Sequence, residues 1–171
     1  MEHKRTWDLE WNERPSEEAR NLNPAFCGEL IFRAVSDYRK LKPQSFSFAL
    51  SFLILPIALH KATRDQLPGK ASTAFVGWLA DNGPFLAQLP DRVLRLVPVS
   101  REALLFLIQH SALRIEDGGL IPGAKPIRLT EKLSQTTDDV VEARGAAALL
   151  GRWFANQGTT SSILQGLGVS P

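Results

Sequence analysis

The sequence predicts an α-rich α+β fold: a winged-helix-like helical core with a short β-hairpin wing, and a long C-terminal helix followed by a short helix. Three observations carry that expectation. Apolar residues recur at helical spacing through most of the 171 residues. One stretch, ALRIEDGGLIPG (112–123), instead alternates apolar and polar positions before an Asp-Gly pair. It follows several short helices, which is the element order of a winged-helix unit; a generic α+β arrangement is the competing reading. We divide the chain into an N-terminal arm (1–22), a core (23–130) and a C-terminal helical segment (131–171) that packs on the core or on a partner.

The arm is polar with isolated tryptophans, Trp7 and Trp11. Asn23-Pro24 then marks a helix start, Asn as cap and Pro at the first helical position. Phe26, Cys27, Leu30, Ile31, Ala34, Val35, Tyr38 and Leu41 share one half of its wheel, while Glu29, Arg33, Ser36 and Lys40 share the other. SFSFALSFLILPIALHKATRDQLP (45–68) is the most apolar run, Leu/Ala-rich and so helical, with a bend or break expected at Pro56. Thr63 and Gln66 have capping-box spacing, which predicts a short helix beginning at Thr63. Ser72 is a further cap, before a buried stripe of Phe75, Val76 and Leu79 that stops at Asn82-Gly83-Pro84. Pro90 should split 85–97 into two short pieces, and Ser100 should cap a helix with Ala103, Leu104, Leu107, Ile108 and Ser111 on one face.

In the hairpin, Asp117-Gly118 supplies the positive φ angles of a tight turn, and KPIRLT (125–130) could add a third strand. Residues 130–137 read as a polar linker. The last long helix, 138–156, opens with acids suited to its N-terminus and stops near Gly158. Val140, Ala143, Ala147, Leu150 and Phe154 form its stripe; Ala146, Leu149 and Trp153 widen it to about half the circumference, more than the ~100° that one core requires. That width predicts burial on a second side, against another module or chain. Ser161 then caps a final short helix.

Composition bounds the function. Hydrophobic residues at 44% and charged residues at 22% suit a globule rather than a disordered chain. A net charge of +2 implies no nucleic-acid partner unless the basic residues cluster. The single cysteine, Cys27, excludes an internal disulfide framework, suits a reducing cytoplasm, and lies on the apolar arc of its helix. The run 46–59 is too short for a membrane span and is interrupted by serines and Pro56.

Catalytic motifs are not found. GGLIPGAK (118–125) misplaces the lysine of a phosphate-binding loop by one residue and has Pro126 where a hydroxyl should be. His3, His60 and His110 are far apart, Cys27 has no neighbouring base, and no metal-binding spacing occurs. Asp91, Glu102 or Asp139 would serve an enzyme only if folding gathered them in a pocket. The expectation is a non-enzymatic protein with no cofactor, metal or small-molecule substrate. The closing segment has a helix–turn–helix flavour, but its second helix offers only Gln165 to base edges. What remains is surface-forming chemistry, since Arg and Trp dominate interface hot spots. The partner-interface candidates are His60, Lys61, Arg64, Arg101, Glu102, Arg152 and Trp153, each weighed against a solvated or intrachain contact worth about 0–1 kcal/mol.

NPAFCGELI (23–31), FLILPIALHKATRDQLP (52–68), REALLF (101–106) and LGRWFANQGTTSSILQGLGVSP (150–171), in that order, resemble the small middle component of bacterial three-component ABC ATPase systems. Lamassu-type systems are the related group. The resemblance implies a non-enzymatic adaptor that links an ABC or SMC-like ATPase to an effector, often a nuclease, in antiphage or antiplasmid defence. Any contact with DNA would then be weak or indirect, through the complex, and no membrane is involved. On that reading Pro56 bends the central helix and aims His60, Lys61 and Arg64 outward at the ATPase. A stand-alone winged-helix DNA-binding transcriptional regulator is the alternative, and basic residues clustered on one face would favour it.

Overall fold

The computed structural model describes residues 9–129 and 136–170. A 3-10 turn at Trp11–Glu13 leads into α1 (Ser16–Asn21), so part of the predicted arm is ordered, while Trp7 and His3 lie outside the described residues. The core elements follow as α2 (Pro24–Leu41), β1 (Phe46–Ser47), α3 (Phe48–Ala58), α4 (Lys61–Arg64), α5 (Phe75–Leu86), α6 (Leu89–Gln109), β2 (Leu113–Glu116) and β3 (Gly119–Pro122). The chain closes with α7 (Asp138–Ala155) and α8 (Thr160–Gly166). The fold is α-rich α+β with one small antiparallel sheet in the order β1-β3-β2.

The central pair is α2 and α7. Asn23 caps α2, its side chain accepting from the Ala25 N–H at 2.8 Å. Glu29 of α2 binds Arg144 of α7 at 2.8 Å, and two turns on Asp37 pairs with Arg152. Both pairs are separated by 115 residues, so the helices run parallel. They approach closely because small residues line the seam. Gly151 packs on the Ala34 backbone, where a Cβ would lie 2.1 Å from the carbonyl oxygen. The wide apolar arc of α7 is therefore covered by its own chain. Ala147, Leu150 and Phe154 enter the core, and Trp153 meets Phe75 and Trp78 of α5. The second side that the stripe demanded is intramolecular.

α3 fills the centre: Leu53, Ile54 and Leu55 are fully buried, which explains an apolar run with no polar face. It continues through Pro56 and stops two residues later, so the expected break falls at the helix end. Pro56 has no N–H to offer the Phe52 carbonyl, and the helix closes within the same turn. Tyr38 packs edge-on against Phe46, at 5.1 Å between ring centroids, and seats β1 against α2.

The hairpin forms as expected, with Asp117 at φ 51° and Gly118 at φ 70°. Its third strand, however, is β1 and not 125–129, which is irregular. β1 can approach because Gly119 has no side chain: a Cβ there would sit 2.7 Å from the Phe46 carbonyl oxygen. Thr130 and most of the predicted linker lie outside the described residues.

Several helix boundaries differ from expectation. α4 begins at Lys61 rather than Thr63, and α8 is capped by Thr159, which accepts the Ser162 N–H at 3.2 Å, rather than by Ser161. α5 begins at Phe75, because Gln157 reaches over from beyond α7 to accept the Phe75 N–H at 3.1 Å, so Ser72 is not needed as a cap. It also runs through Asn82-Gly83-Pro84, and Val76 is 78% exposed rather than buried. α6 takes Pro90 in its first turn, where a missing N–H costs nothing, and continues through Pro98. Ser100 is consequently buried inside α6 and caps nothing. α6 ends in a Schellman turn: Ser111 adopts φ 59°, and Ala112 N–H bonds the Leu107 carbonyl at 2.8 Å.

Cys27 is fully buried, and burial, with a smaller contribution from Glu102, raises its pKa to about 12. The folded protein should therefore resist thiol-directed reagents at neutral pH and react with one equivalent on unfolding. Titration with a chromogenic disulfide checks this. Rapid labelling of native protein would contradict the packing of α2.

Candidate functional site

Within the predicted basic segment, Arg64 turns inward while Lys61 stays at the surface. His60 caps α4, its Nδ1 accepting from the Thr63 N–H at 3.2 Å. The Thr63 hydroxyl lies 2.8 Å from the same nitrogen and accepts from Arg92 of α6 at 2.8 Å. Arg64 is the largest departure from expectation, with only 2% of its side chain exposed. It donates to the Ala58 carbonyl at 3.2 Å, where α3 ends, and pairs with Asp139 and Glu142 in the first turns of α7. Lys61 stays exposed, within 3.2 Å of both Asp65 and Glu142. Bonds from Arg64 and then Lys61 hold the Glu142 carboxyl below its usual range, so the link is charged at neutral pH. Burial opposes the charge on Arg64, but its two acids outweigh it and raise the pKa. This cluster joins α3, α4 and α7 through bonds within the chain.

His60 gives the cluster a pH signature. Burial first, then Arg92 and Arg64, lower its pKa from 6.5. The unfolded chain therefore takes up a proton at a pH where the folded chain does not. Stability is fully present above about pH 6.5 and declines as the pH falls below it. His60→Asn retains a capping acceptor and should flatten the stability profile between about pH 7 and 5. A profile as steep as wild type would show that another group titrates.

The other candidates separate. Trp153 is core, 1% exposed, its indole N–H donating to the Thr73 carbonyl at 2.8 Å. Arg152 is half-buried in its pair with Asp37. Glu102 binds Arg14 through both carboxylate oxygens, at 2.8 and 3.1 Å, and ties α6 to the N-terminal segment. Asp139 and Glu102 are thus engaged by different arginines, and no group of three or more metal-ligating side chains forms among the described residues. Of the interface candidates, Arg101 is exposed and has no ion-pair partner among the described residues, a state it shares with Arg95 on the same helix.

Arg101 sits on an apolar groove of about 660 Å³. Phe48 and Phe52, one turn apart on α3 and 5.5 Å between centroids, form one wall. Val93, Leu94 and Val97 of α6 form the other, and Leu164 and Val169 close the floor. Gly168 at φ 69° permits the turn that brings Val169 back, its N–H bonding the Leu164 carbonyl at 2.9 Å. Sequence reasoning missed every member except Arg101. The available signal was the spacing of Leu94, Pro98, Arg101 and Leu105, which places them in one stripe along a continuous helix. Pro90 and Pro98 concealed that continuity.

The fold and groove define an α-rich α+β protein with an open apolar groove between α3 and α6, lined by one basic side chain, Arg101. The chain belongs to the family described as ABC-three component (ABC-3C) system Middle Component 3, whose model matches residues 11–171. It is accordingly the middle component of an ABC three-component system, and its partners are those of that system. No curated protein and no solved structure matches the chain. No helix among the described residues is long and apolar enough to cross a membrane.

Proposed function

We propose that the protein is a non-enzymatic adaptor that holds an ABC or SMC-like ATPase to an effector, in the manner of the small subunit of Lamassu-type defence complexes. The observation that carries the reading is the outward face of α6. Leu94 is 69% exposed and Leu105 58%, on either side of Arg101 and beside an unfilled apolar groove. Large apolar side chains held in a row at the surface suit contact with another protein. The helical core is read as a winged-helix derivative, supported by β1 after the first long helix, a hairpin after α6, and the sheet order β1-β3-β2. α6 then stands where a DNA-reading helix would. Leucines at the centre of its outward face offer base edges no hydrogen bonds, which favours the adaptor over the regulator.

Size-exclusion chromatography of the chain with the ATPase and effector of its own system tests the role. A ternary complex that persists in roughly 0.5 M salt is expected. Failure to associate, with nucleic-acid binding that weakens steeply as salt rises, would support the regulator instead.

A further inference from the structure

The occupant of the groove can be specified further, and the specification rests on the adaptor reading. We infer that the groove between α3 and α6 receives one amphipathic helix from a partner subunit, which lays apolar side chains against Phe52 and Leu94 and pairs a carboxylate with Arg101.

Leu94, Pro98, Arg101 and Leu105 are spaced four, three and four residues apart, the interval at which one helix meets another along a seam. From Leu94 to Leu105 the stripe runs roughly 16 Å, about three helical turns, so it extends beyond the groove. A small apolar molecule would leave Leu105 uncovered; a helix of equal length covers both ends.

Charge selects among helices. Among the described residues that line the groove, Arg101 is the only ionisable one. Arg101 has no ion-pair partner among the described residues, and neither do Arg92 and Arg95 on the same helix, but of these three only Arg101 lines the groove. A guanidinium at the edge of an apolar trough bonds a carboxylate in forked geometry, and a basic helix would be repelled. The partner helix therefore carries apolar residues three and four apart and an Asp or Glu between them.

The test uses the complex of the full chain with its ATPase and effector. A photoreactive phenylalanine at Leu94 should cross-link a partner segment with that pattern. Arg101→Glu and Leu94→Asp should each weaken binding about tenfold or more, at unchanged melting temperature because both side chains are exposed. Arginine in place of the captured acid should restore binding of the Arg101→Glu protein. Wild-type affinity in both variants would overturn the inference while the adaptor role stood. Failure of the wild-type chain to form any complex would overturn both. Cross-linking to a second copy of this chain, to a segment without a carboxylate, or recovery of a bound fatty acid would also overturn it.

Discussion

Gly151→Ala should destabilise the fold by about 3 kcal/mol or more, although alanine is the better helix former. The added methyl would meet the Ala34 backbone, with its carbonyl oxygen at 2.1 Å and its carbonyl carbon at 2.8 Å. Backbone atoms in a helix cannot turn aside as a side chain does, so α2 and α7 must move apart. Separation would loosen Ala147, Leu150 and Phe154 together and stretch the pairs at Glu29 and Asp37. Gly145, on the same helix, is the internal control. Nothing lies within 4 Å of a Cβ there, so Gly145→Ala should stabilise by about 0.5–1 kcal/mol. Urea unfolding of the two variants measures both signs. A Gly151→Ala protein within 1 kcal/mol of wild type, the figure a propensity change alone would produce, would contradict the close helix pair.

Arg64→Met should cost about 2–4 kcal/mol, between the loss of buried hydrogen bonds and the breaking of a fully buried ion pair. Methionine fills the space of the stem but leaves the Ala58 and Leu59 carbonyls without their donor. The cost stays below that of a fully buried pair because Asp139 and Glu142 are partly exposed and regain water. Arg64→Lys should recover little, since one ammonium cannot serve two carbonyls and two acids in the planar geometry of the guanidinium. Lys61→Ala, by contrast, should leave the melting temperature nearly unchanged, because its ion pairs lie at the surface. An Arg64→Met protein that melted like wild type yet lost its partners would return the residue to an interface.

The contrast between Arg64 and Arg101 shows what was legible. Elements specified by local chemistry were read correctly: the cap of α2 and its apolar arc from Cys27 to Tyr38, the Asp-Gly turn of the hairpin, and the extent of α7; Leu41 at the end of that arc is instead 53% exposed, and Arg33 on the opposite half is buried. Features created by distant segments were not legible. The acids that bind Arg64 are 75 and 78 residues away, so nothing near Arg64 announces that its charge is already satisfied. Trp153 has the composition of a hot spot and the position of a core residue, a difference that only its contacts with Thr73, Phe75 and Trp78 reveal. β1 exists because β3 lies beside it, and two residues carry no strand signal of their own. The end of α6 was read to within two residues, but Ser111, expected on the helix face, instead closes it in a conformation usually taken by glycine.

These outcomes move the proposed contact surface from α4 to the groove between α3 and α6. The broad flank of α7 and the guanidinium of Arg64 are engaged within the chain, Lys61 stays at the surface, and α3 and α6 leave Phe48, Leu94 and Leu105 uncovered around the groove. Amide hydrogen exchange of the chain, alone and bound to the ATPase and effector of its system, tests this most directly. New protection should concentrate on Phe48 to Phe52 and Leu94 to Leu105. Protection confined to α4 and the start of α7, with α6 exchanging as in the free chain, would contradict the account.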